Sequence, residues 1–251
     1  MGTSNKAVRI KLIEKQLADH GVLRLRDAAK LLQVSEMTVR RTLAAHPQRF
    51  AYLGGYILSA PDLANSPMYS LQLEARSHAE AKSRACAHAL TLIRDADTIF
   101  IDCGTTLEHL AKQIPDSMAL TVICYSLNVA NHLANKPNIK LILLGGLFHA
   151  SSASFAGIDT GGGRTTNDLS RFGIHKAFIS AGGVDVERGL SCSSTHEVAI
   201  KQQAIEVALE SHLVVDESKF NRLRPALFAK LDDFATIVTE LGVKPGKARA
   251  V

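Results

Sequence analysis

Apolar residues in the first fifty positions recur at intervals of three and four, the signature of short amphipathic helices. Val8, Ile10, Leu12, Ile13 and Leu17 form one stripe, with Ser4 placed as a cap and Gly21 as a stop, which predicts a helix over about residues 5–19. A short "VLRL" follows. Ala28, Leu31 and Leu32 then mark a second helix that ends at Gln33. Val34 makes a turn, and Ser35 is a good N-cap for a third helix that runs to about His46, just ahead of Pro47. So tight a connection between the second and third helices predicts a helix-turn-helix. In "RFAYLGGYILSAP" two runs rich in aromatic and branched residues flank Gly54-Gly55, a strong hairpin signal, and a hairpin after the third helix is the wing of a winged helix.

The periodicity changes after a stretch rich in Ser, Pro and Asn. The boundaries predicted are a winged helix-turn-helix domain over residues 1–58, a linker over 59–71 and a second domain over 72–251. The second domain opens with an amphipathic helix and continues as short apolar runs alternating with helical segments. The runs are "TIFID" (98–102), "LTVIC" (120–124), "KLILL" (140–144), "AFISA" (177–181), "HLVVD" (212–216) and "ATIVT" (235–239). Strands so continuously apolar are buried on both faces, which predicts an α/β domain with a mostly parallel sheet covered by helices. Ligands of such sheets collect beyond the carboxyl ends of the strands.

Charge sharpens this division. Residues 1–60 hold ten Lys/Arg against four Asp/Glu, whereas the remaining residues hold 19 against 20, so the whole net charge of +5 derives from the first quarter. A small basic module on a near-neutral body points to a phosphate backbone as partner, although a solvated basic surface has the same composition. No apolar run reaches the ~18 residues of a membrane span. The N-terminus lacks the apolar block of a signal peptide, so the expected location is the cytoplasm with no membrane partner. Cys86, Cys103, Cys124 and Cys192 have no C-x2-C spacing, which indicates buried thiols and neither a disulfide framework nor a metal site; no cofactor is expected.

Several strand ends carry polar groups. "DCGTTLEHL" turns through Gly104 after Asp102 and starts a helix with Thr105 and Thr106, whose backbone N–H groups and hydroxyls form a cradle for phosphate or carboxylate; simple threonine capping reads the same way. "CYSLN" places Ser126 and Asn128 after the next strand, and "LLGGLFHAS" places Gly145, Gly146 and His149 after the one following. Glu197 and Lys201 lie four apart on one helix, as an exposed pair or as pocket lining, and "VVDESKF" ends a strand with Asp216 and then Lys219. Carboxylates, two lysines and a phosphate nest together suit a phosphorylated polyhydroxy compound. No nucleophile–base pair is found, and His109, His132, His175 and His212 are expected to be packing or surface groups. "TGGGRTT" (160–166) lacks the context of a nucleotide loop and is expected to be a mobile loop.

These residues resemble the DeoR family of bacterial sugar-metabolism repressors. Arg9, Ile13, Leu17 and Ser35-x-x-Thr38-Val39-Arg40-Arg41 are similar to its DNA-binding signature, while "DCGTT", Gly145-Gly146, Glu197-x-x-x-Lys201 and "DESKF" are similar to its sugar-phosphate sensor. The strings "SEMTVRR", "LGGYI", "DCGTT", "CYSLN" and "FHAS" are most similar to the family's deoxyribonucleoside-operon branch, which implies deoxyribose 5-phosphate as the effector. The resemblance implies a sensor fold shared with ribose-5-phosphate isomerase and CoA-transferase-like proteins, a receptor in place of an enzyme, and a homo-oligomer of at least two chains. Two departures are the family's usual acidic residue, here Thr42, and the loop at Gly161 to Gly163.

On the third helix Val39 and Leu43 face the core, and Ser35, Thr38, Arg41 and Thr42 share another side. The helix is expected to enter the major groove of duplex operator DNA, with Arg41 reading a base edge, Arg40 holding phosphate, and Arg26 and the wing at Gly54 on the backbone. The effector is expected on Gly104, Thr105, Thr106 and Lys219, with Asp102, Glu197, Lys201 and Asp216 towards its hydroxyls. The alternative is an enzyme, a sugar-phosphate isomerase or acyl-transferase with an appended basic domain, because one fold hosts both.

Overall fold

The computed structural model of the chain describes residues 9–17, 22–53, 56–59, 77–162 and 164–247. They belong to two compact units divided after Met68. In the first unit, helix α1 (residues 9–17) is followed by strand β1 (Val22–Arg24), helices α2 (Leu25–Leu31) and α3 (Glu36–Ala44), and strands β2 (Phe50–Leu53) and β3 (Tyr56–Ser59). The stripe Ile10, Ile13 and Leu17 packs on Leu25, Ala28, Val39, Leu43, Phe50 and Ile57 in one core. Gln33 takes a left-handed conformation, φ 50°, that ends the α2 turn. Ser35 caps α3 by accepting from Thr38 N at 3.2 Å.

Strands β2 and β3 pair antiparallel with Leu53 opposite Tyr56, the register of a hairpin. Gly54 and most of the expected linker lie outside the described residues. The "VLR" segment, unassigned in the sequence reading, is a third strand pairing with β3, Val22 opposite Leu58 and Arg24 opposite Tyr56.

The second unit opens with α4 (Ala79–Leu90) and alternates thereafter. Its elements are β4 (Thr98–Ile101), α5 (Thr105–Gln113), β5 (Leu120–Cys124), α6 (Leu127–Leu133), β6 (Ile139–Leu143), β7 (Leu147–His149), β8 (Ser154–Ala156), β9 (Asp159–Gly161), β10 (Arg164–Thr165), β11 (Lys176–Ile179), β12 (Gly183–Asp185), β13 (Gly189–Cys192), α7 (Val198–Val207), β14 (Glu210–Val214), β15 (Ala226–Ala229), β16 (Thr236–Thr239) and β17 (Gly242–Pro245). All six predicted strands lie in one sheet of order β17-β16-β14-β11-β4-β5-β6, parallel throughout except for the β16–β17 pair.

Alternate strand residues feed two cores. Ile99, Ile101, Val122 and Val214 pack with α4, α5 and α6, and Phe100, Ile123, Ile179 and Leu213 pack with α7 and a small antiparallel sheet of β12, β13 and β15. The four cysteines are free and buried, as expected. Of the histidines expected to be packing or surface groups, His175 is exposed and its Nδ1 accepts from Thr98 N at 2.8 Å, whereas His212 is buried with Nδ1 2.9 Å from Thr236 Oγ1. The run expected to be a loop at 160–166 instead contributes to a two-stranded ribbon, β9 with β10. Its polarity conceals the strands, because all their described side chains face solvent. No helix among the described residues is long and apolar enough to cross a membrane.

Candidate functional site

With Val39 and Leu43 buried at 0% and 4% exposure, α3 turns its other side outward, carrying exposed Ser35, Met37 and Arg41 and half-buried Thr38. The exposed Arg40 guanidinium stacks over the Tyr52 ring of β2, 4.7 Å from its centroid, tying the helix to the hairpin. Thr42 is half-buried and donates to Thr38 O at 2.9 Å, so its hydroxyl is engaged inside the helix. Arg26 is exposed on α2, 3.7 Å from Asp27.

In the second unit a cleft opens beyond the carboxyl ends of β4, β11 and β14. Its wall contains six of the residues expected there: Gly104, Thr105, Thr106, Glu197, Lys201 and Lys219. Gly104 adopts φ +103°, and a Cβ at that position would lie 3.2 Å from Ser180 Oγ, so glycine alone makes this turn without strain. Gly104 is also the N-cap of α5 and has no side chain to satisfy the first N–H groups of that helix. The cleft therefore has an uncapped helix start, two threonine hydroxyls and the cations Lys201, Lys219 and Arg224 in its wall.

Beneath it lies a buried charge network. Asp102, fully buried, accepts from the Tyr125 hydroxyl at 2.6 Å on one oxygen and from Ser180 N at 2.9 Å and Lys201 Nζ on the other. Ser180 Oγ is 2.8 Å from both Asp102 Oδ2 and Cys103 O and donates to one of them. Lys201 Nζ also donates to Ser180 O at 3.1 Å and lies 3.7 Å from Glu197. Burial works against the Lys201 ammonium, but the Asp102 carboxylate, then Cys103 and Glu197, outweigh it and hold the pKa above its ordinary value. Glu197 is pushed up, first by burial and further by the Asp102 charge, against the pull of Lys201. The Cys192 thiol in the wall rises to about 11 through burial and stays protonated.

The remaining expected residues are outside the wall. Asp102 supports Lys201 from below. Asn128 Nδ2 donates to Gly104 O at 3.4 Å, while Ser126 Oγ and Asn128 Oδ1 are buried with no partner among the described residues. Asp216 Oδ1 accepts from Ser218 N at 3.1 Å, and its Oδ2 likewise has no described partner. His149 stacks on His196 with centroids 3.7 Å apart, and His196 Nε2 is 3.2 Å from Ser152 Oγ. Burial, then His149 and Lys201, lower His196 to about 4, which keeps it neutral. Gly145 and Gly146 shape the chain near β8 and β10: a Cβ on Gly146 would come 2.0 Å from Ala156 O, and Gly145 O accepts from Thr166 at 3.0 Å. Sequence reading missed Ser180, Gly182, Cys192, Ser193 and Arg224 in the wall.

Two family models match the chain: the DeoR-like helix-turn-helix domain over residues 9–58 and the DeoR C terminal sensor domain over residues 77–241. The chain belongs to the DeoR family. It is 39% identical over 232 residues to the deoxyribose operon repressor of Escherichia coli strain K12, covering 92% of this chain and 89% of that protein. It is 30% identical to the HTH-type transcriptional regulator IolR of Bacillus subtilis strain 168, over 93% of this chain and 91% of that one. Among solved structures, ribose 5-phosphate isomerase A of Methanocaldococcus jannaschii aligns with a TM-score of 0.42 at 17% identity, covering 57% of this chain and 55% of that one.

Proposed function

We propose that this DeoR-family chain is a sequence-specific repressor of a deoxyribonucleoside or sugar catabolic operon, released from its operator by deoxyribose 5-phosphate. The observation that carries the reading is the cleft, where an uncapped helix start and three cations converge in a chain 39% identical to a deoxyribose operon repressor. A phosphate monoester fits Gly104, Thr105, Thr106 and Lys219, because orphan N–H groups, hydroxyls and an ammonium all donate. Ser126, Asn128 and Asp216, each with a buried polar atom that has no partner among the described residues, and Glu197 are the groups suited to sugar hydroxyls. On the DNA, Arg41 reads a base edge in the major groove, while Arg40 and Arg26 hold phosphate. Two such heads on a homo-oligomer match two half-sites.

An isomerase or acyl-transferase is the weaker reading. Asp102 already accepts hydrogen bonds on both oxygens, and Lys201 is held protonated, so neither is available as base or nucleophile. A thermal-shift series over pentose and hexose phosphates tests the proposal. Deoxyribose 5-phosphate at 100 times its Kd should add about 2.7 kcal/mol and raise Tm by several degrees, with no product formed. Lack of a shift with every sugar phosphate, or turnover of one, would reject it.

A further inference from the structure

Lys82 takes no part in the effector contacts described so far, yet it is 0% exposed in α4. Burying an ammonium is unfavourable unless its donors are used. Lys82 Nζ donates to Thr105 Oγ1 at 2.9 Å. An ammonium has three donors and no acceptor, so in this contact the threonine oxygen can only accept. The threonine hydrogen must then be donated elsewhere. No acceptor among the described residues takes it, and Thr105 lies in the wall of the cleft.

One turn further along α4, Cys86 Sγ donates to Thr106 O at 3.0 Å. Two residues four apart on α4 thus hold the first two residues of α5. We infer that Lys82 is a positioning residue of the anion site: it orients the Thr105 hydroxyl as a donor to the bound phosphate and, with Cys86, fixes the start of α5 against α4. This inference rests on the sugar-phosphate reading of the cleft. Lys82 acts through Thr105, since Thr105 lines the cleft and Lys82 does not.

Calorimetric titration of the full chain with deoxyribose 5-phosphate tests it, using wild type, Lys82→Met, Thr105→Val, Thr105→Ser and the Lys82→Met/Thr105→Val double variant. Hydrogen bonds to charged groups predict a loss of roughly tenfold or more for Lys82→Met and for Thr105→Val. The double variant should be no weaker than the weaker single one, because both remove the same donor, and Thr105→Ser should keep wild-type affinity. Wild-type affinity in Lys82→Met, or losses that multiply in the double variant, would overturn the inference and leave the effector reading intact. A wild-type chain that binds no sugar phosphate would overturn both. If Lys82→Met does not fold, the 15N signal of the Lys82 ammonium in the wild type decides. It should move on adding deoxyribose 5-phosphate and stay still with deoxyribose, and an unmoved signal in both overturns the inference.

Discussion

Replacing Lys201 with methionine is expected to lower the free energy of unfolding by about 3–5 kcal/mol, because it leaves a fully buried carboxylate without its counter-charge. Asp102 and the Lys201 side chain are 0% and 1% exposed, so solvent does little to screen either group. The Tyr125 and Ser180 donors would remain on Asp102, but Glu197, itself nearly buried, would face it with no cation between them. One of the two carboxyls would take up a proton in the folded variant, so its deficit relative to wild type should shrink as pH falls. Adding Asp102→Asn to Lys201→Met removes both charges and should recover part of the loss, since the penalty arises from the uncompensated charge. Urea denaturation of wild type, the single and the double variant measures this. A single-variant loss below about 1 kcal/mol would mean that the network is hydrated, and the cleft floor would then be far less rigid than these contacts indicate.

Arg41→Ala should abolish discrimination between operator and random duplex worth about 1–3 kcal/mol, the range for a good bidentate contact with a base. Arg40→Ala should weaken binding to both sequences to a similar extent and flatten the salt dependence, as loss of a phosphate contact does. The structure separates the two arginines. Arg40 is stacked on Tyr52 of the hairpin, whereas Arg41 extends from the exposed side of α3 opposite Val39 and Leu43. Anisotropy titrations at several salt concentrations distinguish them. Equal losses on both duplexes for Arg41→Ala would rule out the proposed base reading by Arg41.

Much of this architecture is legible in the sequence for identifiable reasons. The central strands β4, β5, β11 and β14 are nearly continuous apolar runs because both faces are covered, the edge strand β6 keeps such a run without a buried residue, and Ser35 announces α3 because a hydroxyl at an N-cap accepts from the third residue of the helix. Strand β1 is three residues long and β9 and β10 are wholly solvent-facing, so no apolar alternation marks them. The strand-end rule located Gly104, Thr105, Thr106 and Lys219 in the cleft wall, whereas the residues it picked after β6 lie outside that wall. Gly145, Gly146 and His149 follow β6, the edge strand, and engage the adjoining ribbons and His196. Ser180 and Gly182 follow β11, the strand between β4 and β14, and the same rule covers them once the strand order is known. Lys82 gives no sequence signal, because a lysine within an amphipathic helix reads as a solvated residue until its neighbour, Thr105, is seen.

The measurement that bears most directly on the proposed repressor is the affinity of the full chain for a duplex selected by it from random sequence, with and without saturating deoxyribose 5-phosphate. Coupling between two sites of one protein is typically about 1–3 kcal/mol, so affinity should fall 5- to 150-fold on adding the sugar phosphate and stay constant on adding deoxyribose. Affinity unchanged by deoxyribose 5-phosphate, at concentrations that saturate the cleft, would contradict it.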